Sequence, residues 1–111
     1  LTGEDGLAFK FNRRGGVGII SVTANIAPKL CSDMQRLSKS DNKDDVIKAE
    51  KIDNILQPLH KALFIESNPA PVKYAASLLG LCSDEIRLPL VKIQKNTEKE
   101  VKQALSSANL I

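Results

Sequence analysis

The stretch Gly15-Gly16-Val17-Gly18-Ile19-Ile20-Ser21-Val22-Thr23-Ala24-Asn25 decides how the rest of the chain is read. Glycines punctuate its start, β-branched residues fill its middle, and a polar exit leads to Pro28, a residue suited to the first turn of a helix. The pattern predicts a β-strand feeding a helix. A strand this apolar is expected to be buried on both faces, as in a parallel sheet, and its backbone groups then need neighbours on both edges. No other stretch of the 111 residues reads as a strand, so the chain reads as part of a larger fold. Alternation places Ile20, Val22 and Ala24 on a face packed under helices, and Ile19, Ser21 and Thr23 on a face turned to the inside of a barrel.

Upstream, Thr2-Gly3-Glu4-Asp5 has the spacing of a capping box, and Leu7, Ala8 and Phe11 predict a short helix that Gly15-Gly16 stops. Downstream, Leu30, Cys31, Met34 and Leu37 recur at helical spacing until the polar run Ser38 to Asn42. A longer helix is expected from about Asp44 to Phe64, with Ile52, Ile55, Leu56, Leu59 and Leu63 on one stripe and a kink at Pro58, which lacks the amide that would bond to Asn54. Asn68 is expected to cap, and Pro69 to open, a helix that runs to Leu79 and ends at Gly80. Residues Cys82 to Ile93 read as irregular. The capping-box spacing of Thr97-Glu98-Lys99-Glu100 then opens a last helix with Val101, Ala104, Leu105 and Ala108 on its apolar side.

Composition narrows the function classes. The 42% hydrophobic content is that of a globular domain, and no apolar run approaches the roughly 20 residues a membrane helix needs. The first residues lack the basic-then-apolar pattern of a signal peptide. The chain begins with Leu1, its sole methionine being Met34, which fits a segment cut from a longer chain. Net charge is +3, from 16 basic against 13 acidic residues mixed along the helices, and Phe9, Phe11, Phe64 and Tyr74 do not interleave with basic clusters. Nucleic acid and membrane are therefore not the expected partners. Cys31 and Cys82 lie far apart without a C-x-x-C pair and read as buried free thiols in a reducing cytosol.

Each residue with chemical potential has a structural reading beside it. His60 is the only histidine and has no second ligand at metal spacing, so it reads as a structural or surface residue. Gly15, Gly16 and Gly18 precede the expected strand, whereas a phosphate loop follows one; they read as turn glycines. Glu4 and Asp5 sit where carboxylates favour the positive end of a helix dipole. Lys73 stands next to Tyr74 on a helix, with nothing local to desolvate its amine for imine chemistry.

Four segments together carry a resemblance: Leu1-Thr2-Gly3-Glu4-Asp5, the Gly15 to Asn25 stretch, Leu63-Phe64-Ile65-Glu66-Ser67-Asn68-Pro69-Ala70-Pro71-Val72-Lys73, and Arg87-Leu88-Pro89-Leu90. Across all 111 residues the chain resembles the C-terminal portion of the dihydrodipicolinate synthase (4-hydroxy-tetrahydrodipicolinate synthase) family. The resemblance implies an α/β fold, the last part of a (β/α)8 TIM barrel from the end of strand seven, with residues 1–41 as the last βα units and 42–111 as a three-helix C-terminal extension. It implies a lyase that condenses pyruvate with aspartate semialdehyde on the route to diaminopimelate and lysine, through an imine on a lysine and with no cofactor or metal.

The family's imine lysine, catalytic tyrosine and substrate-binding threonines lie on earlier strands, so no catalytic residue is expected here. What carries over is Ile20, matching the position whose backbone carbonyl contacts pyruvate, and Gly3, Glu4 and Asp5, matching the rim where the second substrate enters. The expected partners are the remaining N-terminal part of the barrel and further copies, since members are commonly tetramers. The face around Lys10, Arg13 and Arg14 matches part of an interface in some of them. Alternatives are another pyruvate-dependent aldolase of the superfamily, such as a sialic acid lyase, or a non-catalytic helical interaction module.

Overall fold

Five α-helices carry the computed structural model, which describes all residues from Leu1 to Ile111: α1 (Ala8–Arg13), α2 (Pro28–Ser38), α3 (Lys43–Ala62), α4 (Ala70–Leu78) and α5 (Lys95–Ser107). Single 3-10 turns at Asp5–Leu7 and Thr23–Asn25 precede α1 and α2. The strand expected over Gly15 to Asn25 does not form. In its place stands one isolated parallel bridge between Thr2 and Ile19. Thr2 N–H donates to the Gly18 carbonyl at 3.1 Å, and Ile20 N–H donates to the Thr2 carbonyl at 2.9 Å. A ladder needs a neighbour of matching length. Only Thr2 lies alongside, and by Val22 the backbone has already turned helical (φ −78°, ψ −45°).

The two faces are also reversed at the centre of the stretch. Ile19, Val22 and Ala24 pack against the helical core, whereas Ile20 is 73% exposed. Period-two alternation holds only while the backbone stays extended, so it cannot place residues beyond Ser21.

The glycines before the bridge are turn residues, as their position implies. Gly15 N–H bonds to the Asn12 carbonyl at 3.1 Å and Gly16 N–H to the Phe11 carbonyl at 2.9 Å, the paired bonds that close a helix at its C-terminus. A Cβ on Gly16 would lie 2.2 Å from Phe11 Cδ1 and 2.7 Å from its carbonyl oxygen, so no side chain fits. At the end of α4, Gly80 takes φ +73°, and Leu81 N–H reaches the Ala76 carbonyl at 3.0 Å. That termination was also legible in the sequence.

α3 is the spine of the molecule. Asn42 caps it, its Oδ1 accepting from Asp44 N–H at 2.8 Å and Asp45 N–H at 3.3 Å, and the helix continues through Pro58. Leu56, Leu59 and Leu63 are completely buried, while Ile55, expected on the same stripe, is exposed. Residues 52, 56, 59 and 63 follow the three-to-four spacing of one face, and 55 falls about 100° away from 56. α2 packs along α3, and α5 packs on both α3 and α4. Arg13 reaches from α1 to the C-terminus of α2, where its Nη1 donates to the Ser38 and Ser40 carbonyls at 3.0 Å each.

The other helix starts differ from the sequence reading. Thr2 does not cap: its Oγ1 accepts from Glu4 N–H at 3.2 Å, and neither Glu4 nor Asp5 caps the turn they open. α4 starts at Ala70 with Pro69 in the cap position, leaving Asn68 one residue too early to serve the free amides. α5 starts at Lys95, ahead of Thr97, which is buried within its first turn. Glu66 instead accepts the Gln94 N–H at 2.9 Å, so a distant carboxylate holds the entrance to that helix.

Candidate functional site

A buried carboxylate organises the turn that follows the Thr2–Ile19 bridge. Asp5 is 3% exposed. Its Oδ2 accepts from Val22 N–H at 2.9 Å and Thr23 N–H at 3.3 Å, and its Oδ1 accepts from the Ser21 hydroxyl. The Ser21 oxygen in turn accepts from Ala24 N–H at 2.9 Å. Asp5 therefore caps the 3-10 turn at Thr23–Asn25, across the bridge, rather than the turn it belongs to. The chemistry follows the cap rule: free amides at a helical start favour an anionic acceptor.

α3 holds the same turn from the opposite side. Thr23 is fully buried, and its Oγ1 lies 2.7 Å from His60 Nδ1. His60 is buried one turn along from Leu56, and its Nε2 has no partner. Burial pushes the imidazole pKa below its ordinary value, outweighing the opposing pull of Asp5, Asp53 and Glu4, and so favours the neutral ring. Cys31 lies in the same region. Burial first, and the Asp5 charge second, raise its thiol pKa to about 11 against a lowering hydrogen bond from Ser21.

Beside this knot Ile20 stands out from the chain. Its N–H is fixed to Thr2, but its carbonyl accepts no hydrogen bond from within the chain, and neither does Ser21 N–H donate one. The peptide plane between Ile20 and Ser21 is free to meet something else. Leu1 and Val17, flanking the bridge, are likewise exposed. Gly3 and Glu4 line a cleft of about 620 Å³ between the opening loop and α3, with Gly6, Gln57, His60 and Phe64 on its other walls. Gln57 Nε2 spans the two sides to the Gly6 carbonyl at 3.1 Å.

Of the residues singled out beforehand, Gly3, Glu4 and Ile20 lie on accessible surface, while Asp5 is just beneath it. Lys73 stands apart on α4, beside the buried Tyr74. Lys10 and Arg14 line a separate cleft of about 440 Å³ with Phe11 and Gly16, but Arg13 is committed to α2. Cys31 is buried as expected and Cys82 is exposed, contrary to the reading that both are buried. No group of His, Cys, Asp and Glu has the arrangement of a metal site. His60 is the residue the sequence undervalued; its only signal was its place four residues after Leu56 on the apolar stripe.

The model of the dihydrodipicolinate synthetase family matches residues 1–108. The chain belongs to this family. It is 64% identical, over all 111 residues, to a 4-hydroxy-tetrahydrodipicolinate synthase of Pelagibacter ubique, of which it covers 38%. The dihydrodipicolinate synthase of Thermotoga maritima superposes with a TM-score of 0.91 at 37% identity, over 98% of this chain and 36% of that one. The chloride-inhibited dihydrodipicolinate synthase of Acinetobacter baumannii, solved with pyruvate, gives a TM-score of 0.89 at 39% identity, over 98% of this chain and 36% of that one. The structural neighbours are TIM-barrel enzymes, and the chain corresponds to the C-terminal part of its curated relatives, spanning a little over a third of their length. No helix is long and apolar enough to cross a membrane.

Proposed function

We propose that this chain is the closing part of a 4-hydroxy-tetrahydrodipicolinate synthase, residues 1–41 completing a (β/α)8 barrel and residues 42–111 forming its helical extension. In this reading the Thr2–Ile19 bridge is where strands seven and eight meet, and the exposed Leu1, Val17 and Ile20 are covered by the earlier strands. The imine lysine lies outside the segment. Its amine attacks the keto carbon of pyruvate, water leaves, and loss of a methyl proton from the iminium gives the enamine that attacks the aldehyde of aspartate semialdehyde.

The Ile20 carbonyl carries the reading: it accepts no hydrogen bond within the chain, and it belongs to an exposed residue whose own N–H is held by Thr2 at the bridge. The negative end of that dipole at a barrel mouth favours the cationic iminium and orients the pyruvate unit. Gly3 and Glu4 sit at the rim, beside the cleft through which the second substrate arrives. Assembly into a homo-oligomer, and work in the cytoplasm, belong to the same reading.

Borohydride trapping of the full-length enzyme with pyruvate, followed by peptide mapping, tests it. The expected adduct is on a lysine outside residues 1–111. An adduct on Lys73, or on any other lysine of this segment, would overturn it. Turnover of a sugar aldehyde in place of aspartate semialdehyde would reassign the enzyme to a lyase of the same superfamily.

A further inference from the structure

We propose that Asp5 is a positioning residue: by clamping residues 21–23 it fixes the direction of the Ile20 carbonyl, with His60 as the second anchor of the same clamp. The inference rests on the reading that this carbonyl meets pyruvate.

The argument starts from what does not hold the carbonyl. The Ile20–Ser21 peptide plane makes no hydrogen bond within the chain on either its C=O or its N–H side, so nothing fixes it directly. It is fixed by what flanks it. On the N-terminal side Ile20 N–H is tied to Thr2. On the C-terminal side three successive residues, Ser21, Val22 and Thr23, all donate to the one Asp5 carboxylate. Thr23 is then tied through its hydroxyl to His60 on α3. Between two pinned ends the two free dihedrals of the Ile20–Ser21 link have little room.

Asp5 and Thr2 come from the same short segment, so the strand-seven end grips the strand-eight end on both sides of the Ile20 carbonyl. The choice of residue follows from valence. A carboxylate has two acceptor oxygens and no donor, and three donors converge on it. An asparagine of the same shape offers one acceptor oxygen, and its NH₂ would face either the Ser21 hydroxyl or the backbone amides. Asp5→Asn should therefore keep the fold while loosening the plane. A displacement of about 1 Å at a reacting centre is enough to cost about a hundredfold in rate.

The test is steady-state kinetics on full-length Asp5→Asn, assayed well below its melting temperature. The expected result is a fall of about tenfold to a hundredfold in kcat/KM for pyruvate, with slower borohydride-trappable imine formation. Ser21→Ala, which removes one of the three donors, should show a smaller loss of the same kind and serves if Asp5→Asn does not fold. Asn42→Ala is the matched control: it removes a cap in α3, lowers the melting temperature, and leaves KM for pyruvate unchanged.

Two results would overturn the proposal. One is wild-type pyruvate kinetics in both Asp5→Asn and Ser21→Ala. The other is a loss that Asn42→Ala reproduces at equal destabilisation. Neither touches the assignment of function, which stands or falls on where the wild-type imine maps.

Discussion

Thr23 Oγ1 and His60 Nδ1 sit 2.7 Å apart and out of water, although 37 positions separate them in the chain. The bond ties the end of the bridge region to the last turn of α3 and fixes the protonation state in which the protein is stable. Because burial lowers the folded pKa of His60 below 6.5, the unfolded chain binds the proton more readily. Stability is thus fully present above about pH 6.5 and declines as pH falls from there through the lower folded value. Asp5, Asp53 and Glu4 all face the ring and soften the effect without reversing it.

The expected observation is a melting temperature of the full-length protein that drops between pH 7 and 5.5 more steeply than in His60→Gln. Identical slopes in the two proteins would show that His60 does not carry this dependence.

Gly16→Ala is expected to be costly in a way that ring truncation cannot cure. The new methyl meets the Phe11 ring at 2.2 Å and, independently, the Phe11 carbonyl at 2.7 Å. Deleting the ring in Gly16→Ala/Phe11→Ala removes only the first clash. Denaturant melts should therefore find the double variant no more stable than Gly16→Ala; recovery to the Phe11→Ala level would mean that the backbone contact gives way.

Leu59→Ala should destabilise by about 2–5 kcal/mol, the range for a buried leucine whose cavity collapses incompletely. Leu59 has no exposed surface and lies on α3, against which both α2 and α5 pack. Ile55→Ala, on the exposed face of the same helix, should cost about 1 kcal/mol or less. Equal losses at the two positions, in chemical denaturation of the full-length chain, would contradict the assignment of faces.

The two cysteines should separate cleanly in alkylation. With its pKa raised to about 11, Cys31 is almost wholly protonated at pH 8 and is also buried, whereas Cys82 is exposed. Brief iodoacetamide treatment followed by peptide mapping is expected to mark Cys82 and spare Cys31 until denaturant is added. Comparable labelling of Cys31 in the native protein would contradict its burial.

The helices were legible because their signals are local. The spacing of Leu56, Leu59 and Leu63, and the glycines at 15, 16 and 80, report on residues within a turn or two of themselves. The helix starts were less so, since a capping box describes a side chain serving its own helix. Here Asp5 and Glu66 serve amides far along the chain instead.

The strand failed for a related reason. Its residue types are right for a sheet, but a strand exists only with partners, and within this chain Thr2 is the only one. Family resemblance singled out Ile20, Gly3, Glu4 and Asp5 as expected substrate contacts. It said nothing of the clamp, which joins residues 5, 21, 23 and 60 through contacts that no spacing encodes.

The two anchors of the Ile20–Thr23 turn also differ in when they can be made. A ribosome adds about 5–20 residues per second, and the N-terminal side of a chain is free to fold first. Asp5 leaves the exit tunnel before the turn it grips, so that half of the clamp can close as soon as Thr23 emerges. The His60 half must wait for 37 further residues. During synthesis the Ile20–Thr23 turn thus passes through an interval in which it is held from one side only, and α3 is what ends that interval.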